Sequence, residues 1–392
     1  MEVMNPEDIF YMRQAICLAK IAGGQTSPNP MVGAVIVKNG EIVGIGTHLK
    51  AGENHAEIHA LHMAGKKAIG ATLYVTLEPC SHSGKTPPCV DAIIQAGIAR
   101  VVIAMEDPNP LVSGKGISTL MNHYISVSVG VLEEQAKQLN ECYCFSMKTK
   151  KPFVCLKTSS TLDGKITDYR KGFCRITSDH VKKEVHELRR KYDAILVGIN
   201  TIIHDDPLLT VREIPTYTQP IKVILDSNLK IPIESKVFQN EEGKTIIFTT
   251  DHASPVKEQA LKKKGAKVFR TGKVMNLHKV MKILYSLGVI SVLVEGGGNV
   301  NFSFLKENLV NKVIIYKKLN LIGGKNAITL IDGEGLKIED AVQLINPSCE
   351  KISVDEIKIS GYIDRKDGIF PIEKLEKINE NEDVSVGANN EK

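Results

Sequence analysis

Strand-like and helix-like runs alternate along this chain in two series, and the break between them points to two α/β units in tandem. In the first series, MVGAVIVKNG and EIVGIGTH read as strands joined by the turn Lys38-Asn39-Gly40. A helix follows near His55, then strand ATLYVTL, a helix over residues 89–96 and strand ARVVIAM. A helix around residues 117–122, strand YISVSVG and a helix from Leu132 complete the series. Ahead of them, Asn5-Pro6-Glu7-Asp8 has the chemistry of a helix start: Asn caps, Pro takes the first turn, and acids favour the dipole. Ile9, Phe10, Ile16, Leu18 and Ile21 supply its apolar positions, and Gly23-Gly24 stops it. The pattern predicts a three-layer α/β domain over residues 1–147.

Lys148-Thr149-Lys150-Lys151-Pro152 is short, charged and ends in a residue that breaks a helix, so it marks the boundary. Beyond it come strand PFVCLK, a strand over residues 161–167, a helix over residues 179–191 and strand DAILVG. Further strands are expected at IKVILD, TIIFTT, SVLVE and VIIYKK. They make a second α/β domain over residues 152–364. The tail, residues 375–392, is polar and net acidic without apolar period, and is expected to be disordered. No internal repeat is found.

A formal charge of +5 is small for 392 residues, and Lys and Arg are scattered rather than striped with aromatics, so no nucleic-acid surface is indicated. A few local cations would suffice for a small anionic substrate. No run has the length and apolarity of a membrane span. The N-terminus MEVMNPEDIF is acidic where a signal peptide needs basic residues, so a cytoplasmic protein is expected. Eight cysteines are too few for a disulfide scaffold, and a buried thiol is the ordinary expectation for each.

Two of them have neighbours that demand more. His55-Ala56-Glu57 is followed, after strand ATLYVTL, by Pro79-Cys80 and then Cys89. One imidazole and two thiolates make three ligands of tetrahedral zinc and leave the fourth position for water, as in catalytic sites. The order matches the H-x-E and P-C-x-x-C signature of zinc deaminases, with Glu57 as the proton carrier that does not bind metal. Both His55 and Cys89 fall at expected helix starts, where the dipole favours thiolate and hydroxide. One departure stands out: eight residues, SHSGKTPP, separate Cys80 from Cys89 where the signature has two. A closed structural zinc site is the rival, with His82 its nearest fourth ligand. Gly84-Lys85-Thr86 resembles the end of a phosphate loop, but Pro79 stands where that motif needs Gly. Cys142 and Cys144 point to different sides of a helix and are expected to pack rather than to form a redox or metal pair.

Four further motifs, TSPNPMVGAVIV, GTHLKAGENHAE, TLEPCSHSGKTPPC and DPNPLVSGKG, together resemble the deaminase half of the bifunctional riboflavin-biosynthesis deaminase/reductases. The long loop between the cysteines is that family's habit. KTSSTLDGKIT, RITSDHVKKEVHELRRKYDAILVG, NTIIHDDPLLTVR, VILDS and VEGGGNVN resemble its reductase half, so the likeness extends to about residue 364. It implies a cytidine-deaminase-like N-terminal domain and a dihydrofolate-reductase-like C-terminal domain, binding zinc (one per chain) and NADPH. The implied substrate is 2,5-diamino-6-ribosylamino-4(3H)-pyrimidinone 5′-phosphate, deaminated at its 2-amino group and then reduced from ribosyl to ribityl. A homo-oligomer is expected.

Residue by residue, the resemblance makes His55, Cys80 and Cys89 the zinc ligands and Glu57 the proton carrier. Asn29, His48, His82 and Lys85 match deaminase substrate contacts, although Asn29 also suits the turn Ser27-Pro28-Asn29-Pro30. Lys157, Arg189, Leu209, Arg212 and Glu295 match reductase substrate contacts. Ser159, Arg175, Thr201, Asp205, Ser227 and the run Gly297, Gly298, Asn299, Val300, Asn301, Phe302, Ser303 match NADP contacts. After strand SVLVE such a glycine run lets backbone amides reach a pyrophosphate at a helix start. Phe173 and Arg175 depart from the family, which has a small polar residue and an aromatic there. That departure motivates one alternative, a second domain that binds or assembles without catalysis. Another, a deaminase acting on nucleic acid, fits poorly with the small net charge and the appended α/β domain.

Overall fold

The computed structural model describes residues 5–81, 87–110, 112–168, 175–239 and 244–364. The first unit begins with helix α1 (Pro6–Ile21), the strands β1 (Gly33–Lys38) and β2 (Glu41–Thr47), and helix α2 (Ala56–Ala64). β3 (Thr72–Val75), α3 (Cys89–Gln95), β4 (Arg100–Ile103), α4 (Lys115–Asn122) and β5 (Ser126–Val129) follow. Two short helices, α5 (Glu133–Leu139) and α6 (Glu141–Thr149), close it. The five strands pair in the order β2-β1-β3-β4-β5, antiparallel around β1 and parallel from β3 to β5.

Local chemistry explains the start. The Asn5 side chain accepts from the Glu7 amide at 3.0 Å, and Pro6 opens α1. Asn39 and Gly40 both have positive φ, 53° and 79°, the backbone of a tight hairpin turn between β1 and β2. Asp8, buried on α1, takes a bidentate bond from Arg100 of β4 (2.8 and 2.7 Å) and the Tyr74 hydroxyl (3.0 Å), locking helix to sheet.

Two close approaches show the three layers. A Cβ on Gly33 would lie 2.0 Å from the Ala15 carbonyl of α1, and one on Gly46 would lie 2.0 Å from the Ala56 carbonyl of α2. Gly46 pairs with Ala34, next to Gly33, so the two helices cover opposite faces. Gly46→Ala is expected to cost about 1–3 kcal/mol, because backbone rather than a movable side chain blocks the methyl group. A thermal melt within error of the parent would contradict this packing. The constraint matters for function because the α2 start carries His55 and Glu57.

The second unit starts with β6 (Phe153–Thr161), α7 (Asp179–Lys191), β7 (Ala194–Gly198), α8 (Ile199–Asp205) and β8 (Ile221–Leu225). It continues with β9 (Thr245–Thr249), α9 (Pro255–Lys263), β10 (Lys267–Arg270), α10 (Leu277–Ser286) and β11 (Ser291–Val294). α11 (Gly298–Lys306), β12 (Lys312–Lys318), β13 (Leu344–Ser353) and β14 (Glu356–Ile363) complete it. Nine strands run in the order β10-β9-β8-β7-β11-β6-β12-β14-β13, parallel from β10 to β12 and antiparallel beyond. Central strands such as AILVG and TIIFT are buried throughout, as a parallel sheet covered on both faces requires.

The strand expected over residues 161–167 does not form. β6 runs unbroken to Thr161, Gly164 turns the chain with φ 80°, and Lys165 makes only an isolated bridge to Thr329. Helix α6 belongs to both units: Tyr143 and Cys144 join the first core, whereas Phe145 packs with Phe153 and Val181 and Cys142 lies against that cluster. The two cysteines therefore do face different sides. No described helix is long and apolar enough to cross a membrane.

Candidate functional site

The zinc site forms where the α2 and α3 starts meet the turn after β3. His55 is the N-cap of α2, Cys89 opens α3, and Cys80 lies in the turn between. The His55 Nδ1 lies 3.2 Å from the Cys89 Sγ and 3.5 Å from the Cys80 Sγ, and the Cys89 amide donates to the Cys80 Sγ at 3.3 Å. All three ligand atoms fall within 4.8 Å of one another, a grouping of metal donors found nowhere else among the described residues. The electrostatics suit a cation. The Cys89 hydrogen bond and the neighbouring His55 outweigh burial and bring the Cys80 thiol down to about 4. Cys89 is held up by the same Cys80 contact. One imidazole and two thiols, one of them ready to ionise, are the donor set of a zinc site with an open position.

Glu57, on the first turn of α2, is 3% exposed, and burial raises its carboxyl above the ordinary range although His55 opposes the shift. His48 and Asn29 complete the cluster. The His48 Nε2 lies 3.1 Å from the Asn29 Nδ2, its Nδ1 lies 3.1 Å from the Asn54 carbonyl, and its ring meets that of His55 edge-on at 5.3 Å. The carbonyl can only accept, so Nδ1 carries the proton and Nε2 accepts from Asn29. Burial lowers the His48 pKa, in keeping with a neutral ring. His82 and Lys85 lie outside the described residues.

Sequence reasoning missed what holds these loops. The Asn140 side chain makes a two-way bond with the backbone of Met31 (2.8 and 2.9 Å), steadying the Asn29 loop from the α6 start. Such a contact joins residues far apart in the chain and leaves no local pattern.

In the second unit, Glu295 follows β11 and Lys157 lies mid-way along β6, and the register sets Val294 beside Leu156, so the two become neighbours at the end of β11. Arg189 of α7 grips Glu295 with two bonds of 2.8 and 2.9 Å and reaches the Thr210 carbonyl, next to Leu209, at 3.3 Å. Burial pushes the Glu295 carboxyl up, but Arg189 and Lys157 overcome it and bring it down to about 2. Burial pulls Lys157 down against the pull of Glu295. His186, which was not foreseen, sits behind this group: its Nδ1 accepts from the Arg212 amide at 3.3 Å, and burial with the two arginines drives it down to about 4. The structure thus groups Lys157, Arg189 and Glu295, with the Arg212 backbone held behind them by His186, whereas Leu209 is buried in a separate apolar cluster with Ile195 and Ile224.

The residues matched to NADP contacts lie along the carboxyl ends of the parallel strands, where open α/β sheets take their ligands. Ser159 is on β6, Thr201 and Asp205 are on α8 after β7, and Ser227 follows β8. Gly297 is the N-cap of α11, in extended backbone and with no side-chain cap bond. Asn301 and Phe302 are buried: the Asn301 amide donates to the Leu330 carbonyl at 2.7 Å, a tie within the fold. The exposed Ser303 hydroxyl bonds the Asn299 carbonyl. Arg175 stands apart, paired with Asp179 at 2.6 Å and with the Thr177 carbonyl, while Phe173 lies outside the described residues.

A family described as the cytidine and deoxycytidylate deaminase zinc-binding region matches residues 5–105, and the RibD C-terminal domain matches residues 152–357. The riboflavin biosynthesis protein RibD of Aquifex aeolicus is 48% identical over 333 residues, covering 85% of this chain and 90% of its own. The chain belongs to the RibD family. Among solved structures, Acinetobacter baumannii RibD superposes with a TM-score of 0.84 at 34% identity, covering 92% of this chain and 99% of that one. A diaminohydroxyphosphoribosylaminopyrimidine deaminase/5-amino-6-(5-phosphoribosylamino)uracil reductase from Thermotoga maritima gives 0.79 at 36% identity, covering 91% and 99%. As a RibD-family protein the chain is a bifunctional deaminase and reductase of riboflavin biosynthesis, with zinc held by His55, Cys80 and Cys89 and a reductase that uses NADPH. A non-catalytic second domain is therefore set aside.

Proposed function

We propose that the first site deaminates 2,5-diamino-6-ribosylamino-4(3H)-pyrimidinone 5′-phosphate at its 2-amino group. The second site then reduces the ribosyl side chain of that product to ribityl. The observation that carries the reading is the buried Glu57 beside His55, Cys80 and Cys89, with the His48–Asn29 pair turned to the same place. Zinc, when bound, supplies an acidified water as nucleophile near neutral pH. Glu57 carries the water's first proton to the ring nitrogen and then the proton of the added hydroxyl to the leaving amine, a role its raised pKa favours. Asn29, with amide donors and an acceptor, and neutral His48 suit the pyrimidine edge. His82 and Lys85 remain proposed contacts for the phosphate side.

In the second site NADPH supplies the hydride. Ser159, Thr201, Asp205, Ser227 and residues 297–303 are proposed to hold it, with Arg175 a weaker member because Asp179 already engages it. Glu295 and Lys157 suit the ribosyl hydroxyls, Arg212 and Arg189 the phosphate, and Leu209 the substrate wall. The functional units are proposed as residues 1–147 and 152–364 of a cytoplasmic homo-oligomer that uses small-molecule substrates, not nucleic acid. The name of the Thermotoga maritima relative supports the substrate assignment.

Incubating the protein with the diaminopyrimidine ribosyl phosphate, with and without NADPH, tests both halves when products are identified by mass. Deaminated product alone is expected without NADPH and ribityl product with it, from protein carrying about one zinc per chain. Absence of any deaminated product from zinc-loaded protein would remove the substrate assignment.

A further inference from the structure

The β3 strand leads into Glu78-Pro79-Cys80, and the first of these residues has no part in the reaction described above. Glu78 is 3% exposed, and its amide donates to the Met105 carbonyl at 3.0 Å. Its carboxylate is met by backbone amides of Asp107 and Gly114 and of the first turn of α4. Oε2 accepts from Asp107 (3.2 Å) and Gly114 (3.0 Å), and Oε1 accepts from Gly116 (2.8 Å) and Ile117 (3.3 Å). Burying a carboxylate is costly unless its oxygens are satisfied, and a residue that only filled space would do so better without charge. The bonds therefore matter for where they hold these amides.

The start of α4 packs directly on the zinc-ligand turn. A Cβ on Gly116 would sit 2.1 Å from the Pro79 carbonyl, so the helix backbone lies against the peptide before Cys80. Ser113 and Lys115, with Ser81, line an open cavity of about 660 Å³ beside the ligand turn. The Asp107 Oδ1 in turn accepts from the Asn109 amide at 2.9 Å and from the Tyr143 hydroxyl of α6 at 3.0 Å. Cys80 is tied on its far side, where its carbonyl accepts from the Val90 amide at 3.3 Å. One carboxylate thus clamps the cavity wall to the turn that presents a metal ligand.

We propose that Glu78 is a positioning residue of the deaminase site, setting the place of Cys80 relative to His55 and Cys89 by holding Asp107, Gly114 and the start of α4 against the ligand turn. The inference rests on the zinc-deaminase assignment but not on the identity of the pyrimidine. Glu78→Gln is the test: it keeps the volume, yet whichever way the amide turns its NH₂ faces two N–H donors. In the full-length zinc enzyme it is expected to speed zinc release to a chelator and to lower the deamination kcat, each by about ten- to a hundredfold. The reductase rate on deaminated product stays unchanged, which also reports that the chain is folded. Cobalt-substituted protein reads the ligand geometry without substrate, and its visible absorption bands shift in Glu78→Gln. Bands and zinc release matching the parent would overturn the proposal even if no pyrimidine were turned over. Should Glu78→Gln fail to fold, Tyr143→Phe loosens the same contact from its Asp107 side. It is expected to shift the bands in the same sense, and bands identical to the parent would equally overturn the assignment.

Discussion

Glu57→Gln is expected to lower the deamination rate by about two to four orders of magnitude while the protein keeps its zinc and its reductase activity. Gln has the size of Glu but cannot carry a proton. The three metal ligands are untouched, and Glu57 sits on the first turn of α2 with its backbone held by the helix. Burial makes the wild-type carboxyl less acidic than an exposed glutamate, which moves it toward the pH at which it must both accept and donate. The measurement is kcat on the diaminopyrimidine phosphate together with metal content. A zinc-replete variant that deaminates at the parental rate would remove Glu57 from the proton path.

The second large effect concerns the Arg189–Glu295 pair, whose side chains are only 13% and 10% exposed. Glu295→Ala leaves a buried guanidinium without its carboxylate and is expected to cost about 3–5 kcal/mol, along with reductase activity. Replacing both residues by apolar ones of similar volume restores much of the stability but none of the activity, which separates the fold from the chemistry. The wild-type pair also predicts a pH window. The Glu295 pKa lies near 2 in the folded protein, below the ordinary glutamate value of 4.5, so the folded state favours the ionised form. Its contribution, on the order of 3 kcal/mol, is complete above the ordinary glutamate pKa and lost as pH falls from there toward 2. Denaturant midpoints across that range check it, and a Glu295→Gln protein with the same acid sensitivity as the parent would refute it.

Much of the architecture was legible because its signals are local. Helix α7 appears over the expected residues because Ser178 caps it through the Val181 amide and Val181 and Val185 face the core. Strands β7, β9 and β11 form where apolar runs predicted strands, and each is buried along its whole length. β13 did not announce itself: LINPSCEKIS mixes Asn, Pro, Ser and charges, lies on the sheet edge and is nowhere fully buried, so nothing enforces a period of two. The strand expected over residues 161–167 fails because Asp163-Gly164 turns the chain, with the Gly164 amide bonded to the Thr161 carbonyl at 3.0 Å, and β6 ends there.

The zinc trio and Glu57 could be read from residue type and spacing, because metal chemistry restricts both so severely that few other patterns satisfy it. Residues 55–89 therefore carried their meaning before any fold was known. Which atoms serve them was another matter. That the Asn54 carbonyl sets the His48 tautomer, that Asn140 holds Met31, and that Glu78 gathers the Asp107 and Gly114 amides and the α4 start are facts of tertiary packing. The same holds for α6, whose two faces complete both cores. Sequence by itself determined the reactive groups and the local elements, since each depends on neighbours a few residues away. Only the tertiary structure decided the groups that orient them, because a hydrogen bond across tens of residues imposes no period on the chain between its ends.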